Sequence, residues 1–115
     1  MQYSKAKTKY VRISPRKARL AAGLIRGLSV AEASTQLTYS RLKAGRLLKK
    51  TLDSAIANAE TLLDVQRDQL NIHEVRIDEG PTLKRAKPRN RGGRAPIMKR
   101  TSHFTIVLST NQEGK

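Results

Sequence analysis

The sequence predicts an α+β domain of three helices and three strands, with one long β-hairpin protruding from it. Three observations carry this prediction. Apolar residues recur at three- and four-residue steps in three separate windows, two of them opened by helix-start chemistry. Three other runs alternate with period two, as strands do. Finally, an acid-free tract from Gly80 to Arg100 joins the last two of these runs, with a turn signal near its middle.

The chain has 115 residues, enough for one domain, 1–115. Twenty-four Lys and Arg stand against nine Asp and Glu, a net charge of +15. Self-repulsion on that scale disfavours a free compact domain. A polyanion relieves it, because its condensed counterions are released when cations neutralise phosphates. An anionic membrane would serve too, so charge alone names a class of partners, of which nucleic acid is the commonest. No apolar run approaches the ~20 residues of a span, and no membrane partner is expected. The absence of cysteine removes disulfides, thiolate metal sites and cysteine nucleophiles together. Met1-Gln2-Tyr3-Ser4-Lys5 lacks the apolar stretch of a secretory signal, so a cytoplasmic protein is expected.

The charge is distributed in blocks. No acid precedes Glu32, and none lies between Gly80 and Gln112. In the first block Lys5, Lys7 and Lys9 alternate with Ala6, Thr8 and Tyr10, which predicts a strand with one cationic face. Ser14-Pro15 then opens a helix, a capping oxygen before a residue needing no amide partner. Ala18, Ala21, Ala22, Leu24 and Ile25 form its stripe, with Gly27 placed to end it. Ser29-Val30-Ala31-Glu32 is a capping box for a second, short helix that buries Val30, Ala33 and Leu37 and fades near Thr38. The third helix is the longest, with Ala44, Leu47, Leu48, Leu52, Ala55, Ile56, Ala59 and Leu63 on one face. Arg46, Lys49, Lys50 and Asp53 occupy the other.

After a polar break from Asp64 to Gln69, Val75 and Ile77 alternate with charged residues. Phe104, Ile106 and Leu108 alternate with Thr105, Val107 and Ser109. Leu70 and Ile72 are out of phase with Val75 and Ile77, which predicts a bulge. If the chain reverses at Asn90-Arg91-Gly92-Gly93, paired residue numbers sum to about 183. Ile77 then faces Ile106, and Val75 faces Leu108. About twelve residues of strand span ~40 Å, whereas a compact domain of this length has a radius of gyration near 13 Å. The hairpin, 80–100, must therefore leave the globular part, 1–79 and 101–112. Pro88 and Pro96 predict an irregular tip on a regular stem.

His73 and His103, without Cys or an acidic cluster, do not suggest a metal site. His73 is expected to be exposed, and His103, at the hairpin base, to donate to RNA or a neighbouring strand. Ser102-His103 cannot form a triad by adjacency, and Gly92-Gly93 lacks the strand-then-helix setting of a phosphate loop. Asp78 and Glu79 point to opposite faces of a strand and read as partners for nearby cations. No catalytic, cofactor or metal-binding residue is expected. Aromatics are scarce, which argues against a stacking platform for single strands. Folded RNA held through phosphates, shape and 2′-hydroxyls fits better.

Four stretches stand in a specific order and spacing: Ser14 to Gly27, Ser54 to Glu60, Asp78-Glu79-Gly80-Pro81 with Lys84-Arg85, and Lys99 to His103. Together they resemble the bacterial large-subunit ribosomal protein twenty-two family over nearly the whole chain. The resemblance implies three helices packed on a small antiparallel three-stranded sheet, with one long protruding β-hairpin. It implies a globular part at the mouth of the peptide exit tunnel and a hairpin tip on the tunnel wall, where changes in relatives are linked to macrolide resistance. At the tip this chain reads Arg91-Gly92-Gly93-Arg94-Ala95-Pro96, whereas relatives often place a charged residue after basic-Gly-Arg-Ala. The short polar end, Asn111 to Lys115, looks bacterial or plastid-like.

The expected RNA contacts are Lys5, Lys7, Lys9, Arg12, Arg16, Lys17 and Arg19 in the first block. In the second they are Lys84, Arg85, Lys87, Arg89, Arg91, Arg94, Lys99, Arg100 and His103. The resemblance makes Arg89, Asn90, Arg91, Gly92, Gly93 and Arg94 the tunnel-lining tip. The partners so implied are large-subunit ribosomal RNA, neighbouring ribosomal proteins and the nascent peptide, with no homo-oligomer. Two rivals are weighed. An architectural DNA-binding protein with basic hairpin arms would share the charge, but would normally dimerise and bend duplex DNA. A small nuclease would need a metal-binding carboxylate set that is absent.

Overall fold

Lysines alternating with small residues make a strand dry on one side only. In the computed structural model, which describes residues 2–88 and 94–110 and the side chains of 2–82 and 100–110, β1 spans Tyr3–Val11. Ser4 and Ala6 are buried while Lys5 and Lys7 are exposed. The buried face is tied to a helix behind it. Ser4 Oγ donates to the Ala55 carbonyl (3.0 Å), and the Thr8 and Thr51 hydroxyls lie 2.8 Å apart.

Helix α1, Pro15–Gly23, starts as its sequence dictates, with Ser14 Oγ accepting from the Lys17 amide at 3.4 Å. It ends earlier than expected. Tight turns involving Ala21, Ala22 and Ile25 carry the chain from Gly23 to Gly27, which adopts φ +77°. Gly27 is thus the left-handed residue anticipated, one turn beyond the helix. The unwinding leaves Leu24 43% exposed rather than in the core, while Ala18, Ala21, Ala22 and Ile25 are buried.

Helix α2, Val30–Thr38, has both halves of the capping box and buries Val30, Ala33 and Leu37. Helix α3, Lys43–Leu62, buries Ala44, Leu48, Leu52, Ala55, Ile56 and Ala59, together with Gly45 and Thr51. Each large side chain so buried stabilises the fold by roughly 1.5–3 kcal/mol. Leu47 and Leu63 pack at the margin of the core. Asp64, at φ +55°, turns the chain away, and a short 3₁₀ turn, Arg67–Gln69, leads into β2, Leu70–Glu79.

The sheet is antiparallel with order β1-β5-β2, so β5, Ser102–Thr110, is central. Phe104, Ile106 and Leu108 are fully buried against the helices. The bulge in β2 is present. Ile72 pairs with Leu108 and Glu74 with Val107, leaving His73 as the extra residue. That extra residue puts Leu70 and Ile72 on the same buried face as Val75 and Ile77.

Between β2 and β5 the chain forms a second ladder, β3 (Leu83–Pro88) with β4 (Arg94–Lys99). Two expectations need correcting here. Ile77 faces Phe104 and Val75 faces Ile106, two residues from the expected register. The stem is also not regular. Three residues, 80–82, oppose two, 100–101, so paired numbers sum to 182 in β3–β4 but to 181 at the start of the sheet. At this neck the Gly80 amide donates to the Thr101 carbonyl (3.0 Å), and Thr101 Oγ1 donates to the Pro81 carbonyl (2.6 Å). A Cβ on Gly80 would lie 2.5 Å from Thr101 Oγ1, so the closeness of the neck requires glycine. Pro88 and Pro96 both lie inside the ladder, opposite Arg94 and Ala86. In a two-stranded ribbon every strand is an edge, which is where proline is tolerated. The expected turn, Asn90 to Gly93, lies outside the described residues.

Strands β3 and β4 pack on each other and on no other element to any substantial degree. The molecule measures 69 × 25 × 17 Å, with a radius of gyration of 17.4 Å. That is well above the ~13 Å of a compact domain this long.

Candidate nucleic-acid interface

Because the helices cover one face of the sheet, the other is open, and strand alternation decides what it shows. Lys5 lies opposite Val107, and Lys7 opposite Thr105. Arg76, on the far edge, is held by two carboxylates of its own strand, Asp78 at 3.3 Å and Glu74 at 3.6 Å. The acids neutralise that edge, so among the described residues the cations of the face without an ion-pair partner lie along β1. Aromatic pairs bound it. Tyr3 and His73 have ring centroids 4.7 Å apart, and Tyr10 and His103 meet edge to face at 5.0 Å.

Lys9 and Tyr10 sit where β1 bulges, since Thr8 pairs with Phe104 and Val11 with Ser102. Tyr10 adopts φ +60°, a region few non-glycine residues occupy. Its amide donates to His103 Nδ1 at 3.1 Å. Half-buried His103 therefore accepts from the neighbouring strand through this nitrogen, where a donor was expected. His73 is exposed, as expected.

Arg12, Arg16 and Lys17 surround the amino end of α1 and are exposed. Cations in a helix's first turn oppose its dipole, at ~0.3–1 kcal/mol each where exposed. Local stability alone would not choose them; an anionic partner at that end would. Arg19 differs, because its guanidinium donates to the Ile77 carbonyl at 3.1 Å. It closes the outer edge of β2, a structural task the sequence did not disclose.

Lys84, Arg85, Lys87, Arg94 and Lys99 lie on β3 and β4, and exposed Arg100 lies at the neck. Arg89, Asn90, Arg91, Gly92 and Gly93 lie outside the described residues. The fold brings Arg12, Lys17 and Arg100 to one groove of about 740 Å³ beside α1. Arg41 and Lys43, from the α2–α3 turn and the start of α3, line it too. These two were missed in the sequence, where they sit in the mixed-charge middle. The signal was there in Lys43 and Arg46, first-turn cations of a helix without a first-turn acid.

Among the described residues no cluster of His, Asp or Glu could hold a metal, and no helix is long and apolar enough to cross a membrane. A small α+β domain with an open cationic sheet face, cationic helix starts and a projecting basic ribbon belongs to the class of nucleic-acid-binding proteins. More particularly, the chain belongs to the ribosomal protein L22p/L17e family, whose model matches residues 6–109. It is 75% identical over 109 residues to the large ribosomal subunit protein uL22 of Protochlamydia amoebophila, covering 95% of this chain and 98% of that one. The protein of the same name from Chlamydia felis is 60% identical over 108 residues, 94% of this chain and 97% of its own. That from Chlamydia pneumoniae is 56% identical over the same span.

Proposed function

We propose that the chain is a structural, non-enzymatic constituent of the large ribosomal subunit that binds ribosomal RNA and neighbouring ribosomal proteins in the cytoplasm. The observation that carries this reading is the unbroken family match from residue 6 to residue 109, which takes in both the sheet and the ribbon. The high identities to large-subunit proteins at nearly full length support it. They also weigh against the DNA-bending and nuclease alternatives.

At finer grain, we read residues 1–79 and 101–112 as the globular part and 80–100 as an arm running into the RNA. The RNA contacts are those anticipated from the sequence, with Arg19 also donating to the Ile77 carbonyl and His103 also accepting from the Tyr10 amide within the protein. Arg89 to Arg94 line the peptide exit tunnel and meet the nascent peptide. The chain acts as one copy, without a homo-oligomer.

The test is binding of the full chain to large-subunit RNA across a salt series. Each neutralised phosphate adds ~0.7–0.9 to the log–log slope, so a handful of contacts gives a slope of several units. A slope near zero, or a native protein that does not sediment with large subunits, would sink the reading.

A further inference from the structure

The groove beside α1 combines two properties that rarely share a surface. Apart from Ser14 its polar lining is cationic, with Arg41 and Lys43 on one wall and Arg100 at the neck, and it contains no acid. Yet its apolar lining includes Leu20, 63% exposed, and Leu42, 40% exposed. A surface that merely tracks a phosphate backbone has no use for open leucines. A protein-docking surface of ordinary composition would not exclude every carboxylate. An unpaired nucleotide needs both, because it has an apolar base on an anionic linker.

We infer that this groove holds one unpaired nucleotide of the ribosomal RNA, its base against Leu20 and Leu42 and its phosphates on Arg41, Lys43 and Arg100. The inference rests on the RNA-binding reading above and adds a subsite to it. The volume, about 740 Å³, lies in the range of small-ligand sites. A groove of this size has room for a base that has left its helix. The wall is also pre-formed. Ser40 Oγ accepts from the Leu42 amide at 3.1 Å, and Gly45 packs so closely that a Cβ would lie 2.8 Å from Ser40 Cβ. The α2–α3 turn that presents Arg41 and Leu42 is thus held by contacts within the protein itself. The amino end of α3 borders the groove with no side-chain cap at Leu42, adding its partial positive charge to that of the cations.

The experiment titrates the full chain, a Leu20→Ala/Leu42→Ala variant and an Arg41→Gln/Lys43→Gln variant on large-subunit RNA across salt. Both leucines are exposed, so unchanged melting of the first variant verifies its fold. It is expected to bind on the order of ten-fold more weakly at every salt concentration with the parent's slope, because it loses apolar contact and no charge. The second variant should lose about 1.4–1.8 from the slope. Ultraviolet cross-linking of the parent complex should attach RNA to the peptides carrying Leu20 or Leu42, at a nucleotide that chemical probing shows to be unpaired. Parent-like binding by the leucine variant, with cross-links elsewhere, overturns the subsite and leaves salt-dependent binding of the chain standing. Cross-links from the groove to a neighbouring protein in assembled subunits would make the occupant a peptide, and also overturn it. Loss of all salt dependence in the parent would instead remove the broader reading.

Discussion

Ile56 shows how a single side chain is read twice, first from its spacing and then from its surroundings. Its place on the apolar stripe of α3 put it in the core, and it is 4% exposed there. Ile56→Ala should lower stability by roughly 2–5 kcal/mol, a large part of the ~5–15 of a small domain, as measured by thermal or urea unfolding. Residue roles set by local chemistry were legible in this way. Ser14 and Ser29 accept at their helix starts because short hydroxyl side chains satisfy first-turn amides. Roles set by distant strands were not. Nothing near Arg19 in the chain announces the Ile77 carbonyl, 58 positions away. Nothing near His103 announces the Tyr10 amide, 93 positions away. The internal bonds of both went unread because unpaired charge and polarity are what a sequence displays before its partners are known.

Among elements, the helices and strands were the most legible, since each shows its period and two of the three helices also show a cap. Their limits were less so. Helix α1 stops at Gly23 because the chain relaxes into tight turns before reaching its left-handed glycine, a choice between neighbouring conformations of similar energy. The bulge at His73 was legible, because a change of phase in an alternating run has few other causes. The break at Gly80 to Thr82 was not, because it depends on Thr101, between β4 and β5, closing on Pro81. The ribbon beyond that break packs chiefly on itself, so it adds little to the stability of the rest. Replacing Lys84 to Met98 by an Asn-Gly turn should therefore leave the melting temperature near that of the parent. A loss as large as that of Ile56→Ala would show that the ribbon belongs to the core.

At the scale of the whole molecule, the 69 Å length and the absence of acids from Gly80 to Gln112 belong to one design. A projecting ribbon of like charges is ordered best where phosphates surround it. On the proposed placement, deleting Leu83 to Arg85 should move the tip while the globular part stays bound. Drug susceptibility and subunit yield are the measurements. Macrolide response should change without loss of intact large subunits; unchanged response, with the tip seen buried away from the tunnel, would refute the placement. The neck gives that deletion a sharper meaning. Paired numbers pass there from an odd sum to an even one, 181 to 182, so the two ladders are read in different frames. Shortening both rails of the ribbon equally only draws it in, and an even change on one rail only slides it. An odd change on one rail exchanges its two faces throughout, as a frameshift rewrites everything downstream of it. Removing three residues from one rail is a change of this last kind.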